Sequence, residues 1–320
     1  MTWRHWSRQS QPGWGGRILA PCLRRGVTGE SSNLTDLTER LEEVELRSCG
    51  RRLDVDRSAV GALKETDAQA TVEALRTGME DDGYLFLPGF LDSSDVGHAR
   101  SAILAALSNE GVLDGSAPQD KGIVRDDYTS DFQSENDRFP QVRSLVECDR
   151  VRTFFDHFLG GDSRSLDHIW LRMKSPGRAT APHCDIVYMN RGTKNLFTIW
   201  IPLGDVPLEL GPLMVLEGSH RSEKLRRYCE MDVDKKVGFF NWHYRHGGFF
   251  RGGQYTKNPL AAQREIGGRW LTADFKAGDL ITFKTSTLHG SLDNQSKQIR
   301  LSADARYQLA SEPIDSRWTK

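Results

Sequence analysis

The chain has 320 residues, 38% of them hydrophobic and 27% charged, and its 43 basic and 44 acidic side chains leave a formal net charge of -1. That balance fits an ordinary globular protein with enough apolar residues for a sizeable core, and it lacks the basic excess expected of a nucleic-acid binder. No run approaches the roughly eighteen apolar residues of a membrane span, and the first residues lack the apolar segment of a secretory signal, so a cytoplasmic protein is expected.

Residues 1–29 hold Arg4, Arg8, Arg17, Arg24 and Arg25 and no acidic residue. An acid-free, arginine-rich leader suits a mitochondrial presequence, but Pro12 and the glycines around it would interrupt the helix such a signal needs, so a disordered tail is the preferred reading. The N-terminal extension, residues 1–66, continues in a charged stretch where Leu34, Leu37, Leu41 and Val44 recur at helical spacing and suggest a short surface helix. From Asp67 the pattern firms. Ala70, Val72, Leu75 and Met79 predict a helix that Gly83 ends before the apolar strand Tyr84–Leu87. A second helix is expected from the capping segment Asp92-Ser93-Ser94-Asp95 to near Gly111, and a third from Val142 to Leu159, stopped by Gly160-Gly161. Beyond Asp162 the predicted elements are short strands, at Ile169–Met173, Phe197–Leu203, Leu213–Leu216, Asp279–Phe283 and Ile299–Leu309. Helices first and strands later predict an α+β fold whose C-terminal half is a sandwich or jelly roll. The catalytic domain is expected over residues 67–312, with a long insert at about 222–276 and a short tail at 313–320.

Cys22, Cys49, Cys148, Cys184 and Cys229 are odd in number and show no CxxC spacing, which argues against a disulfide framework or a structural zinc site. The chemistry-bearing segment is Pro182-His183-Cys184-Asp185. In extended backbone, residues two apart point to one face, so the imidazole of His183 and the carboxylate of Asp185 can converge on one ion. That spacing alone is common by chance. A third ligand is offered by His289, which follows a turn and the strand Asp279–Phe283. Two histidines and one carboxylate, with three coordination positions open, form the facial triad of non-heme iron(II) oxygenases. The co-substrate of such enzymes needs a cation for its distal carboxylate, and the planar fork of arginine supplies it. Arg300 stands eleven residues after His289, in an alternating strand whose polar face carries Arg300, Ser302, Asp304 and Arg306. An isolated segment of this kind reads as an edge strand with its polar face in water. Its place so soon after His289 favours a barrel strand that returns Arg300 to the metal.

Together these residues resemble the phytanoyl-CoA dioxygenase family of iron(II)- and 2-oxoglutarate-dependent oxygenases, over roughly residues 80 to 310. The opening segment from Asp81 to Phe90, the His183-Cys184-Asp185 triplet, the signature from Leu213 to His220, the His289-Gly290-Ser291 triplet and Arg300 carry the likeness. The resemblance implies a double-stranded β-helix core with flanking N-terminal helices, and Fe(2+), 2-oxoglutarate and O2 as the reaction's partners. It further implies hydroxylation of a C–H bond in a small organic substrate, with release of succinate and CO2. His183, Asp185 and His289 would be the catalytic metal ligands, and Arg300, Ser291, Trp200 and Trp170 would contact the co-substrate. Halogenating relatives replace the metal carboxylate with a small residue, and here Asp185 is present. Two alternatives stay open: a cupin-type metal enzyme that uses no 2-oxoglutarate, and a non-catalytic jelly-roll binding protein.

Between Gly238 and Gln263 there is no acidic residue, while aromatics and cations are dense. Two readings stand: a lid over the substrate, in which Trp242, Tyr244, Arg245 and Arg251 meet an anionic or aromatic small molecule, or a loop packed on the barrel. Nucleic acid and membrane partners are not expected.

Overall fold

The computed structural model describes residues 40–319 except 42, 54–58, 129–131, 135–137 and 235–251. The strands in chain order are β1 (Arg47–Ser48), β2 (Arg51–Arg52), β3 (Val60–Ala62), β4 (Tyr84–Leu87), β5 (Phe132–Ser134), β6 (Ser163–Ser165) and β7 (Trp170–Lys174). They continue as β8 (Phe197–Pro202), β9 (Leu213–Leu216), β10 (Trp270–Thr272), β11 (Leu280–Lys284), β12 (His289–Ser291) and β13 (Arg300–Leu309). The major sheet runs β4-β11-β8-β13-β7-β5 with β6 on the far end of β13, and a smaller sheet runs β12-β9-β10-β3. All pairs are antiparallel except β10 with β3.

Alternation along the strands sorts side chains into three layers. Phe86, Trp200, Ile281 and Phe283 of the major sheet meet Leu213, Val215 and Leu271 of the smaller one, so the two sheets close on a shared apolar core. The other face of the major sheet, with Ile199, Ile201, Leu301, Ala303, Ala305 and Tyr307, packs on the helices. Met214, Leu216, Trp270 and Val60 leave the smaller sheet outward and are covered by Leu41, Leu46 and Ala262. This is the jelly-roll arrangement of a double-stranded β-helix, with helices on one side as predicted.

The longer helices among the described residues are α1 (Val72–Asp82), α2 (Ser93–Asn109), α3 (Pro140–Val146), α4 (Asp149–Leu159) and α5 (Pro259–Ile266), and a single turn covers Arg226–Cys229. Thr71 caps α1 by accepting from the Ala74 amide, Asp92 caps α2 through the Ser94 amide, and Gly83 closes α1 at φ 79°. The single helix expected over 142–159 is two. Val146 and Val151 are both buried and five residues apart, a step of about 140° on one continuous helix. The break at Cys148, extended at φ -63° and ψ 156°, restarts the helix and turns both apolar faces inward. Sequence patterning also missed β10 and α5, which occupy the expected insert. The helix predicted from Leu34 to Val44 lies largely outside the described residues, though Leu41 is buried. No helix among the described residues is long and apolar enough to cross a membrane.

Candidate active site

β13 explains how a strand with a polar face reaches the centre of the molecule. It lies between β8 and β7, and Arg300, Ser302, Asp304 and Arg306 are all buried inside the barrel instead of facing water. Such a strand survives only where the charges find partners. Arg172 on β7 donates to Asp304, and Arg306 donates through Nη2 to Asp185 Oδ2 at 2.7 Å.

The three candidate ligands come together at the open end of the barrel. His183 and His289 form an antiparallel bridge, each backbone amide donating to the other's carbonyl at 2.9 and 3.0 Å, and their ring centroids lie 4.2 Å apart. Asp185 opens a short 3-10 turn, Asp185–Val187, which points its carboxylate back at them. Asp185 Oδ1 is 3.5 Å from His183 Nε2 and 3.8 Å from His289 Nε2, and one ligand atom from each of the three lies within 4.8 Å of the others. Gly290 is required between His289 and Ser291, because a Cβ there would stand 2.8 Å from the Thr180 carbonyl oxygen.

The donor set fits a divalent metal on three counts. Each histidine Nδ1 is tied to a backbone carbonyl, His183 to Ala181 at 2.9 Å and His289 to Thr287 at 3.0 Å, so each Nδ1 carries the proton and each Nε2 presents its lone pair. Burial, and then His183, push the His289 imidazole down to about 3, so it is neutral at physiological pH. Burial by itself would raise the Asp185 carboxyl, but the Arg306 guanidinium holds it well below the usual range and it stays ionised. Two imidazoles and one carboxylate on one side of an ion leave the opposite positions open.

Those shifts set a pH dependence of stability. The folded His289 refuses a proton that the unfolded chain takes up below pH 6.5, so metal-free protein loses stability as pH falls from 6.5 towards 3. The depressed Asp185 acts in the same direction at lower pH, since its contribution is lost as pH falls below 3.8. His289→Gln is expected to flatten the urea-midpoint profile of metal-free protein between pH 6.5 and 4, removing up to about 1.4 kcal/mol per pH unit. An unchanged slope would mean that His289 titrates normally.

The remaining predicted residues occupy distinct places. Arg300 is 2% exposed, donates from Nη1 to the Gly211 carbonyl at 3.2 Å and stands 6.0 Å from the Trp200 ring. Trp170 covers the Arg306 guanidinium, whose Cζ is 4.1 Å from the ring centroid. The Ser291 hydroxyl accepts from the Thr180 amide at 2.8 Å and donates to the Leu292 carbonyl at 3.0 Å, so it must release that carbonyl to hold a carboxylate. Trp242, Tyr244, Arg245 and Arg251 lie outside the described residues. From the same stretch, Gln254 lines the metal cavity, and the Tyr255 amide donates to Pro182 at 2.9 Å, next to His183.

The cavity beside the triad has a volume of about 430 Å³, and its walls include His183, Asp185, Trp170, Arg172, Tyr188 and Trp318. Sequence reasoning missed Trp318. It belongs to the stretch expected as a tail, yet its indole donates to the Tyr188 carbonyl at 3.1 Å and its ring packs 5.0 Å from Trp170. The clustered charges of Asp315, Arg317 and Asp232 fasten that stretch to the body. Arg306 and Thr198, both bonded to Asp185, were also missed. Their signal was the polar face of β13 and the lone Thr198 in an otherwise apolar β8.

A double-stranded β-helix carrying a buried His-Asp-His triad at its mouth defines a non-heme iron oxygenase of the 2-oxoglutarate-dependent class. The chain belongs to the phytanoyl-CoA dioxygenase (PhyH) family, whose model matches residues 79–302. No curated protein matches it. Among solved structures it is similar to EctD from S. alaskensis with 2-oxoglutarate and 5-hydroxyectoine, at 19% identity and a TM-score of 0.54, over 86% of this chain and 87% of that one. It is also similar to the epimerase SnoN in complex with Fe3+, alpha ketoglutarate and nogalamycin RO, at 22% identity and a TM-score of 0.52, over 76% and 85% of the two chains. A third is the carbocyclase SnoK from nogalamycin biosynthesis, at 20% identity and a TM-score of 0.52, over 79% and 89%. These likenesses establish the fold.

Proposed function

We propose that this iron(II)- and 2-oxoglutarate-dependent dioxygenase hydroxylates a C–H bond of a small organic molecule bound in the cavity next to His183 and Asp185. Substrate, O2 and 2-oxoglutarate give hydroxylated product, succinate and CO2. The single observation that carries the reading is the convergence of three buried ligand atoms, within 4.8 Å of one another, two of them from residues that line that cavity, His183 and Asp185. Iron held by His183, Asp185 and His289 supplies the redox chemistry that couples decarboxylation of the co-substrate to oxidation of the substrate.

The chain's own residues position and shield the reactants. Arg300, buried against Trp200, grips the distal carboxylate of 2-oxoglutarate by charge-assisted hydrogen bonds in this reading. Trp170 and Trp318 form an aromatic wall, and Lys174 adds positive charge to it, which supports a substrate with an acidic group and a flat or apolar body. Closing such a wall over the reacting carbon excludes water.

Screening small carboxylates and aromatic acids for stimulated succinate formation tests the substrate class. Trp318→Ala is expected to raise the substrate KM about tenfold and to leave iron and 2-oxoglutarate binding unchanged. A variant with wild-type KM for every stimulating compound would remove Trp318 from the substrate wall.

A further inference from the structure

We infer that Arg306, together with Thr198, is a positioning residue that restricts Asp185 to one-point attachment of the metal. The inference rests on the triad being the metal site. A carboxylate can bind an ion through one oxygen or both, and the second mode would take up one of the positions that the co-substrate and dioxygen require. In this site the two oxygens of Asp185 have different surroundings. Oδ1 faces His183 and His289, whereas Oδ2 accepts from Thr198 Oγ1 at 2.7 Å and from Arg306 Nη2 at 2.7 Å. Both side chains of the Arg306–Asp185 pair are within 2% of full burial, so the bond between them is sheltered from bulk water.

The manner of the contact is informative. A guanidinium that only neutralised a carboxylate would be expected to engage it with two parallel bonds. Arg306 instead meets Asp185 through Nη2 alone, while its Nε and Nη1 have no hydrogen-bond partner among the described residues. Its plane is fixed from outside the contact. Trp170 lies 4.1 Å from Cζ, and Asp304 Oδ2, already bonded to Arg172, lies 4.0 Å from Nη1. The β13 register pairs Arg306 with Thr198 of β8, which brings both donors to the same oxygen. An oxygen that carries two such bonds is a poor second donor to a metal, and the free oxygen is the one aimed at the imidazoles. Partners of this kind behind metal ligands are typically worth about 10- to 100-fold in metal affinity.

Cobalt(II), added anaerobically to the full chain, gives a readout separate from turnover, because its visible absorption reports the ligand set and its geometry. Thr198→Val removes one bond while keeping shape, Arg306→Met removes the other, and Arg306→Lys restores a positive charge on a different geometry. Thr198→Val and Arg306→Met are expected to weaken cobalt binding roughly 10-fold or more and to change the band pattern, as a second carboxylate oxygen displaces a solvent ligand, with Arg306→Lys intermediate. Wild-type cobalt affinity and spectrum in Thr198→Val would overturn the inference, including the case in which Arg306→Met fails to fold. Failure of the wild-type chain to bind cobalt at all would overturn the metal site, and the inference with it.

Discussion

His183→Ala is expected to abolish iron binding and reduce turnover to background while the protein stays folded. The ring is buried at the barrel mouth, and what it contributes to the fold is chiefly the backbone bridge to His289, which alanine keeps. Asp185→Ala is expected to remove the same activity at a greater structural cost. Arg306 would then be a buried cation with its main partner gone, a change that typically costs about 3–5 kcal/mol. Anaerobic calorimetry with iron(II), read beside thermal denaturation, separates the two effects. Equal losses of stability in the two variants would show that the Arg306–Asp185 pair is not the structural link described above.

Arg300→Gln is the second large effect. The arginine is 2% exposed and beside Trp200, in a barrel interior where a carboxylate meets little competition from water. Removing one partner of such a buried, charge-assisted pair typically costs about 2–5 kcal/mol, equivalent to a rise in the 2-oxoglutarate requirement of roughly 30-fold to a few thousand-fold. Iron affinity should be little changed. A wild-type 2-oxoglutarate titration would move the distal carboxylate to another cation and would leave Arg300 a structural residue bonded to Gly211.

The metal triad was legible in the sequence because its signals are local. His183 and Asp185 are two residues apart, and His289 follows a strand with a clear turn before it. The family resemblance, over roughly residues 80 to 310, overlaps nearly all of the stretch that the family model matches, residues 79–302. What surrounds the triad was much less legible. Arg306 and Asp304 alternate with small apolar residues, a pattern equally suited to a strand facing water, and only the placement of β13 between β8 and β7 shows that their face is internal. Trp318 is separated from Trp170 by most of the barrel in sequence, so no periodicity links them. The helix break at Cys148 could have been read from the five-residue step between Val146 and Val151, a phase error that one helix cannot absorb. β10 has three residues and β12 three, too short for alternation to register, and the pairing of β12 with β9 is set by the sheet it completes.

The measurement that bears most directly on the central claim is succinate formation from 2-oxoglutarate, with purified protein and iron(II) under air, across a panel of small organic acids. The account predicts succinate production that requires iron(II) and dioxygen, rises with a compound that is itself oxidised in equal amount, and disappears in His183→Ala. Succinate yields that are independent of added iron(II), or undiminished in His183→Ala, would contradict it.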